Sequence, residues 1–476
     1  MSQKIVISPV TRVEGHGKVT IRLSDAGKVE EARMHIVEFR GFERFVQGRF
    51  YWEVPVIIQR LCGICPVSHH LCAAKATDVI VGADRLSPTA EKMRRLMHYG
   101  QIFQSHVLHF FHLASPDLLF GFDAPVEKRN VIGVALEHPE VVRQAILMRK
   151  YGQEVIKATA GKKIHGTGAI PGGINKNLSP EERDFLKKDI DQMLQWAAGG
   201  LELFKKLYRG DLKRLSSFGS FESNFVSIVD RDGRFDLYDG KLRAKNAEGK
   251  IIFDQVEPLD YLNHIREEVR PWSYMKFPFI KELGKDKGWY RVGPLARLNN
   301  CDYMDAPLAE RQRREFVKLG GGRPVHATMA YHWARLIEAL YCAEKIKELL
   351  DDPDLQGTEL VRSGTRRFEA VAFLEAPRGT LFHHYRVNEQ DQVTMANLIV
   401  STTSNNEPMN QAVKRVAVDY LEGKKKITEG LLNHIEVAIR AYDPCLSCAT
   451  HALGQMPLIV RLEGPRGEPI EEKVRE

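Results

Sequence analysis

Apolar residues at helical spacing run through most of the chain and predict a mainly helical protein. After Ser87 and Pro88, a serine cap with a proline in the first turn, apolar side chains recur every three or four residues to about Ala114. Residues 179–182 have the pattern of a capping box before another such stretch. Helices long enough for a bundle are predicted over residues 69–81, 88–114, 139–159, 180–208, 323–350, 410–420 and 427–442.

Alternating apolar and polar residues predict a smaller set of strands. Residues 5–7, 18–23 and 29–39 are predicted as N-terminal antiparallel strands, and Asp-Gly and Glu-Gly turns predict a small β excursion at about 218–254. Residues 371–375 resemble a further strand, and the turn after it would present Arg378 to a pocket. The aromatic and basic segment 274–291 is interpreted as irregular packing or a partner surface. The predicted fold class is α+β, mainly α: a long-helix bundle core with N-terminal antiparallel strands and a small β excursion.

Composition changes this picture little. The 476 residues would allow about three domains, but no linker supports a split, and the hydrophobic fraction of 43% is ordinary. The net charge of +7 is mild and dispersed, which argues against nucleic-acid binding. No apolar run approaches the ~18 residues of a membrane span, and the first residues lack a secretion signal. We therefore expect a cytoplasmic protein without a transmembrane segment.

The cysteines carry the clearest chemical signal. Four of the seven form two Cys-x-x-Cys pairs near opposite ends, Cys62 with Cys65 and Cys445 with Cys448. Thiolates select soft or borderline metals such as zinc, nickel, copper and iron, and an odd number of cysteines suggests a reducing compartment. We hypothesise that the fold brings both pairs to one metal centre.

Two other interpretations of the pairs remain open at this point. A structural zinc ribbon normally places its pairs about 15–20 residues apart, so a zinc site of this span would be unusual. A thioredoxin-type redox motif is disfavoured because neither pair opens a helix in a short βαβ context.

The Gly-rich segment 170–174 lacks a phosphate-loop pattern, and no dinucleotide fingerprint is present. His98, His106, His109 and His112 are interpreted as packed side chains rather than metal ligands.

Two cysteine motifs resemble the two signatures of the large subunit of NiFe-hydrogenases. The first is Arg-x-Cys-Gly-x-Cys at 60–65 with His69, and the second is Asp-Pro-Cys-x-x-Cys at 443–448 with His451. Residues 11–16, 39–43, 171–173 and 376–379 match further family blocks in the right order, so the resemblance covers the whole chain. Residues 104–106 and 449–458 resemble the cytoplasmic bidirectional group, closest to the NAD-reducing soluble type.

This resemblance implies a catalytic subunit that splits or forms dihydrogen at a Ni–Fe centre with carbon monoxide and cyanide on iron. Cys62 and Cys445 would be terminal nickel ligands, and Cys65 and Cys448 would bridge nickel and iron. The Cys445 thiolate would accept the proton first, and Glu14 would relay it outward because a partly buried carboxylate can titrate near neutrality.

The resemblance also implies supporting residues around the metals. Arg378 would lie above the open metal position, oriented by Asp443, and Thr402 would donate to a cyanide although Ser401 replaces the family's usual proline. His69 would lie beside Cys65. A Mg²⁺ ion would be bound by Glu43, His451 and the backbone carbonyl of Leu398. Ser105 stands where membrane-associated relatives carry a second aspartate.

The expected partners follow from the same resemblance. Electrons would pass through an Fe–S small subunit to a diaphorase that holds FMN and NAD, since Cys72, Cys301 and Cys342 match no cluster motif and are expected to be buried thiols. NADP, a deazaflavin or a heterodisulfide are alternative acceptors. A quinone-site scaffold subunit like that of respiratory complex I is the alternative from another class, but that subunit lacks the cysteine pairs. After nickel-insertion factors act, an endopeptidase would remove residues 452–476 from a single domain over 1–451.

Overall fold

Long helices form the body of the computed structural model, which describes residues 3–424, 426–450, 458–464 and 469–475. In chain order they are α1 (Pro66–Ile80), α2 (Pro88–Leu108), α3 (Pro139–Ala160), α4 (Pro180–Gly210), α5 (Ala330–Leu350), α6 (Asn406–Leu421) and α7 (Glu429–Ala441). Helix α2 packs against α3 and α5, and α5 packs against α4. Both α2 and α5 are buried along most of their length, so the core of the bundle runs between them.

Local signals set the predicted helix starts. The hydroxyl of Ser87 accepts the backbone N–H of Ala90 at 3.1 Å, and Ser179 forms the expected capping box with Glu182. After α2 the chain continues in a wide π-helical turn over His109–Ala114. Such turns interrupt the regular hydrogen-bond ladder, and this one lies where the helix passes the end of α7.

Several predicted helix boundaries were wrong. Helix α5 begins at Ala330 rather than 323, because a glycine run and Pro324 precede it. Helix α1 begins at Pro66, which occupies its first turn, so Cys65 lies at a helix start. The expectation that neither cysteine pair opens a helix was therefore wrong for Cys62 and Cys65. Shorter helices span Phe42–Phe45, Val54–Ile58, Ser115–Phe120, Val131–Glu137, Leu212–Ser217, Tyr261–His264, Gly284–Lys287, Pro294–Asn300, Pro307–Val317 and Ser401–Ser404.

The N-terminal strands form an antiparallel sheet in the order β1 (Gln3–Ile7), β2 (Gly17–Leu23) and β3 (Val29–Ile36). Val19, Ile21 and Leu23 face the core, as their alternation predicted. Strand β3 ends at residue 36 rather than 39, and α6 packs against it. The loop between β1 and β2 carries residues 11–16 towards the C-terminal part of the chain.

The β excursion consists of β4 (Asn224–Val229), β5 (Lys241–Lys245), β6 (Ile251–Val256) and β7 (Tyr290–Arg291), with β7 parallel to β4. Strands β8 (Glu369–Ala376), β9 (Gly379–Val387) and β10 (Val393–Ile399) form a second sheet that packs on α1. Apolar side chains from both sheets share one small core.

Two-stranded pairs complete the described part: Ala169–Ile170 with Gly173–Ile174, Ile265–Glu268 with Phe277–Ile280, and Leu458–Glu463 with Pro469–Arg475. The segment 274–291, interpreted as irregular, instead supplies strand Phe277–Ile280 and β7. The α+β, mainly α prediction is confirmed. Among the described residues, none of the helices combines the length and apolar character that a membrane crossing would require.

Candidate metal centre

The four cysteines of the two pairs converge, although 383 positions separate Cys62 from Cys445. Their sulfur atoms all lie within 4.8 Å of one another, and each residue is buried. The Sγ atom of Cys62 lies 3.2 Å from that of Cys65 and 3.4 Å from that of Cys445, while Cys445 and Cys448 are in direct sulfur contact. The described residues thus bring both ends of the sequence to one buried sulfur cluster.

Backbone and glutamine contacts fix the first cysteine pair. Cys62 follows a single turn over Gln59–Leu61, and the N–H groups of Ile64 and Cys65 point at its sulfur from 3.2 and 3.1 Å. From α2, the side-chain amides of Gln101 and Gln104 donate to the carbonyl of Ile64 at 2.8 and 3.1 Å. The loop between the two cysteines is therefore held from the bundle core.

The second pair is held by two other loops. Helix α7 ends at Ala441, and Asp443 adopts a left-handed φ of 54° that turns the chain towards Cys445. The N–H of Cys445 donates to the hydroxyl of Thr402 at 3.0 Å, and the N–H of Leu446 donates to the carbonyl of Glu14 at 3.0 Å. The N-terminal loop and the C-terminal loop are thus joined at the cysteines.

The carboxylate of Glu14 contacts this second loop directly. Its Oε2 atom lies 2.9 Å from the Cys445 sulfur and 3.2 Å from the N–H of Ser447, whose hydroxyl donates to Oε1. Gly15 has a φ of +82°, and a Cβ atom there would lie 2.8 Å from the Ser447 nitrogen. The Glu-Gly step of the motif at 11–16 is therefore required by the close approach of two loops.

Arg378 lies in the turn between β8 and β9, buried above the cluster. Its Nη2 atom donates to Asp443 at 2.9 Å, as predicted for this pair. Its Nε and Nη1 atoms have no hydrogen-bond partner among the described residues, and neither has Oδ2 of Asp443. Buried polar atoms are nearly always paired, so these orphaned donors indicate a polar group that is not part of the chain.

His69 gives the same indication. It is 1% exposed, its ring stacks on His383, and neither ring nitrogen has a hydrogen-bond partner within the part of the chain that the structure describes. Burial, followed by the charge of Arg378, lowers the pKa of His69 to about 3, so the ring is neutral. Four thiols and these unsatisfied polar atoms fit a metal centre that brings its own polar ligands.

The predicted magnesium ligands are only partly within the described residues. Glu43 is 3% exposed, and its Oε1 accepts the N–H of Leu398 at 2.8 Å and lies 3.9 Å from the Lys276 ammonium. Burial raises the pKa of Glu43 to about 7. His451 lies outside the described residues. Glu43 and Leu398 are therefore neighbours, and their role as ligands stays a prediction.

Three of the four histidines interpreted as packed are buried and hydrogen-bonded. The Nε2 atom of His98 lies within hydrogen-bond distance of the carbonyls of Leu237 and Glu375, that of His106 of the Glu338 carboxylate, and that of His109 of the Arg440 carbonyl. His112 is half-buried. The described residues contain one candidate metal-binding group, the four cysteines. Cys72, Cys301 and Cys342 are buried outside it, as expected.

Sequence reasoning missed several residues that shape the site. Ser447, Gln101, Gln104 and His165, whose Nε2 atom lies 2.8 Å from the Cys62 carbonyl, were not identified. Ser447 lies inside the second Cys-x-x-Cys pair, which was the available signal. The two glutamines interrupt the apolar face of α2, and buried polar residues on such a face need a partner.

Comparison with known proteins agrees with this geometry. A family model described as nickel-dependent hydrogenase matches residues 40–121 and 237–451, and a model described as HoxL-like matches residues 4–39. The NAD-reducing hydrogenase HoxS subunit beta of Cupriavidus necator is 50% identical over 489 aligned residues, which cover 100% of both chains.

Solved structures show the same relationship. A crystal structure of an NAD⁺-reducing NiFe-hydrogenase matches with a TM-score of 0.92 and 57% identity, covering 94% of this chain and 99% of that chain. A NiFeSe-hydrogenase of Desulfomicrobium baculatum has the same fold at 23% identity, with a TM-score of 0.76 over 95% of this chain and 100% of its own. Because a full-length relative is 50% identical and the nickel-dependent hydrogenase model matches most of the sequence, this chain belongs to the nickel-dependent hydrogenase family.

Proposed function

We propose that this chain is the large subunit of a hydrogen:NAD⁺ oxidoreductase, in which dihydrogen is split or formed at the four-cysteine cluster. The convergence of four buried thiols with Glu14 and Arg378 carries the catalytic part of the proposal. NAD as the acceptor rests on the full-length relative and the solved neighbour, both of which are described as NAD-reducing.

Both cysteine pairs would hold the metals in this proposal. Cys62 and Cys445 would bind nickel, and Cys65 and Cys448 would bind nickel together with an iron that carries carbon monoxide and cyanide. Such a centre supplies two adjacent metal ions that polarise dihydrogen. The Cys445 thiolate accepts the proton, and Glu14, with Oε2 at 2.9 Å from that sulfur, receives it next.

Arg378, Asp443, Thr402 and His69 position this chemistry. Asp443 fixes the guanidinium of Arg378 through Nη2, which leaves Nε and Nη1 for a cyanide or for substrate. The hydroxyl of Thr402 already accepts the Cys445 N–H, so its proton is free to be donated to a second cyanide. His69 is neutral and buried, and it can act as a donor to the sulfur of Cys65.

Magnesium forms a separate part of the proposal. Glu43, the carbonyl of Leu398 and His451 are its proposed ligands, and the contact between Glu43 and Leu398 supports the first two. A divalent ion would keep the Glu43 carboxyl ionised despite its burial. Magnesium analysis of the purified complex tests this site, with Glu43→Gln expected to abolish magnesium binding; unchanged magnesium content would exclude Glu43.

The C-terminal segment is proposed to be removed on maturation. The nickel-dependent hydrogenase model ends at residue 451, which supports this boundary. An endopeptidase acting after nickel-insertion factors would leave a single domain over 1–451. The intact mass of the active subunit decides: a mass that still includes residues 452–476 refutes the cleavage.

Partner subunits complete the electron path. Cys72, Cys301 and Cys342 are dispersed and buried, so an Fe–S small subunit is proposed to collect the electrons. A diaphorase with FMN would pass them to NAD. The name of the HoxS relative, a subunit of a NAD-reducing enzyme, supports such an assembly.

One experiment tests the function as a whole. Infrared spectra of the purified complex should contain bands of iron-bound carbon monoxide and cyanide, and metal analysis should find nickel and iron. Zinc without such bands would overturn the hydrogenase proposal for this chain. Hydrogen-dependent reduction of NAD, compared with NADP and a deazaflavin, then tests the acceptor. A preference for NADP or the deazaflavin would exclude NAD as the acceptor and leave the hydrogenase part of the proposal in place.

A further inference from the structure

Arg335 of α5 is a buried charge that the proposed mechanism does not use. It is 0% exposed. Its Nη2 atom donates to the carbonyl of Ala441 at 3.0 Å and its Nη1 atom to Nδ1 of His332 at 3.1 Å, whereas Nε has no hydrogen-bond partner in the described structure. No carboxylate of the described residues forms an ion pair with it. A buried guanidinium in this state is unusual, because buried charges are normally paired.

The carboxylates nearest to Arg335 are already bonded to other arginines. Glu338 is held by Arg297, whose Nε and Nη2 atoms donate to its two oxygens at 2.6 Å each. Asp443 attracts Arg335, but its Oδ1 bonds Arg378. Two guanidinium groups therefore flank one aspartate beside the cysteines, which leaves an excess of positive charge there.

The neighbouring rings do not remove this excess. His332 and His109 stack on each other with ring centroids 5.5 Å apart, and burial and the Arg335 charge hold the pKa of each ring well below its ordinary value. Both rings are therefore neutral. Burial also lowers the pKa of Arg335 to about 10, and the like charge of Arg378 adds to this effect. At neutral pH the group is still a cation.

We infer that Arg335 is a positioning residue of the metal centre, whose positive charge compensates an anionic cluster and acts through Asp443. Four thiolates and the cyanide ligands carry more negative charge than two divalent ions carry positive charge, so an occupied centre is an anion. Arg335 also fixes the last carbonyl of α7, the helix that leads into Asp443 and Cys445. This inference rests on the proposed Ni–Fe function.

Two substitutions separate the charge of Arg335 from its hydrogen bond to α7. Arg335→Gln retains an N–H donor for the carbonyl of Ala441 and removes the charge, whereas Arg335→Lys retains the charge and changes the geometry. Arg415 is an exposed arginine of α6, and the variant Arg415→Gln controls for loss of a distant charge. Each variant is made in the complete complex, and nickel and iron are quantified first.

The decisive measurement is a redox titration followed through the infrared bands of the iron-bound ligands. Removing a nearby cation makes electron uptake less favourable, so Arg335→Gln should lower the midpoint potential of the centre, while Arg335→Lys and Arg415→Gln stay close to the unmodified complex. An unchanged midpoint potential in Arg335→Gln at full metal content would show that Arg335 only binds the C-terminal carbonyl of α7, and the inference would fail.

Metal loading provides a second test if a variant assembles poorly. Loading of Arg335→Lys but not of Arg335→Gln would support a need for the charge. If neither Arg335→Lys nor Arg335→Gln binds nickel and iron, only the shape of the guanidinium matters, and the inference is overturned. Absence of nickel and of ligand bands from the unmodified complex would instead refute the underlying function.

Discussion

Glu14 contacts a cysteine sulfur, a backbone N–H and a hydroxyl within one loop. Glu14→Gln keeps the shape of this side chain but cannot carry the proton. General acid–base groups contribute about 10²–10⁴-fold to rates, so hydrogen-dependent turnover of the complex should fall at least 100-fold. Nickel and iron content should stay unchanged, because glutamine can still accept the N–H of Ser447.

Hydrogen–deuterium exchange and acceptor reduction are the assays for this variant. Glu30→Gln, an equivalent change at an exposed position, should leave both rates intact. Full activity of Glu14→Gln would reject the relay role, and loss of nickel would show a structural role instead.

The cysteines differ in what their removal should do. Cys448→Ser replaces a soft ligand with a hydroxyl, so the purified subunit should contain little nickel or iron. Cys342 is also fully buried but lies outside the cluster, so Cys342→Ser should retain both metals and lose only stability. Metal analysis of the two variants decides: equal metal content would contradict the assignment of Cys448.

Residue type explains why these cysteines could be found from the sequence. A thiolate pair has few uses, but spacing and chemistry left other interpretations open, and the resemblance of both motifs to NiFe-hydrogenase signatures assigned Cys62, Cys65, Cys445 and Cys448 to one site. The structure brings the four together. Ser447 and Gln101 act through ordinary hydrogen bonds to Glu14 and to a carbonyl. Serine and glutamine make such bonds at many places in any protein. The position of Ser447 inside a cysteine pair and of Gln101 on an apolar helix face was therefore too weak a signal to identify their partners.

At the scale of single elements, α2 carries a buried base whose titration should affect stability. Burial lowers the pKa of His98 to about 3, and its Nε2 atom bonds two carbonyls. Below its ordinary pKa of 6.5 the unfolded chain takes up a proton that the folded chain excludes. His98 therefore contributes stability that is present above pH 6.5 and is lost as the pH falls towards 3.

Denaturant unfolding of the full chain between about pH 4 and 6 measures this contribution. One excluded proton corresponds to about 1.4 kcal/mol per pH unit. His98→Gln keeps an N–H donor for the carbonyls and removes the base, so its stability should depend less steeply on pH by that amount. An identical slope in both proteins would show that His98 is protonated in the folded chain.

Element boundaries were predicted less well than the existence of the elements. The long helices were recognised because an apolar stripe repeats over many turns. Strands β9 and β10 were missed because both faces of this sheet are largely covered, so alternation is weak: residues 379–385 are all buried. The two strands of segment 274–291 are short, and their partners lie at 224–225 and 265–268. Such pairing depends on tertiary contacts that sequence pattern does not contain.

At the scale of the molecule, the relation between the two ends of the chain was predictable, whereas the means of joining them was not. One metal centre needed four thiolates, which required residues 62 and 445 to meet. The contacts that hold the ends together involve Arg12, Asp117 and Arg440, which lie in three separate segments. Charged residues are common in loops and at helix ends, so these three could not be selected beforehand.

Asp117 is the centre of this junction and provides a test of whether closing the fold and building the site are one event. One carboxylate oxygen accepts a hydrogen bond from Arg12 of the N-terminal loop at 2.5 Å, and the other accepts one from Arg440 of α7 at 3.0 Å. Arg440 also donates to the carbonyl of Thr11 at 3.0 Å. Asp117 is 2% exposed. Removing one partner of a buried ion pair leaves an uncompensated charge and costs about 3–5 kcal/mol.

Asp117→Asn should therefore lower the free energy of unfolding by about this amount, and it should loosen the contact between the loop that carries Glu14 and the helix that leads to Cys445. We expect nickel content to fall together with stability, because the second cysteine pair is positioned only when both ends are docked. Asp123→Asn, whose side chain is 64% exposed, should change neither quantity. Denaturant unfolding and metal analysis of the two variants give the result. A destabilised Asp117→Asn subunit that still binds nickel fully would show that the cysteine cluster assembles independently of the junction.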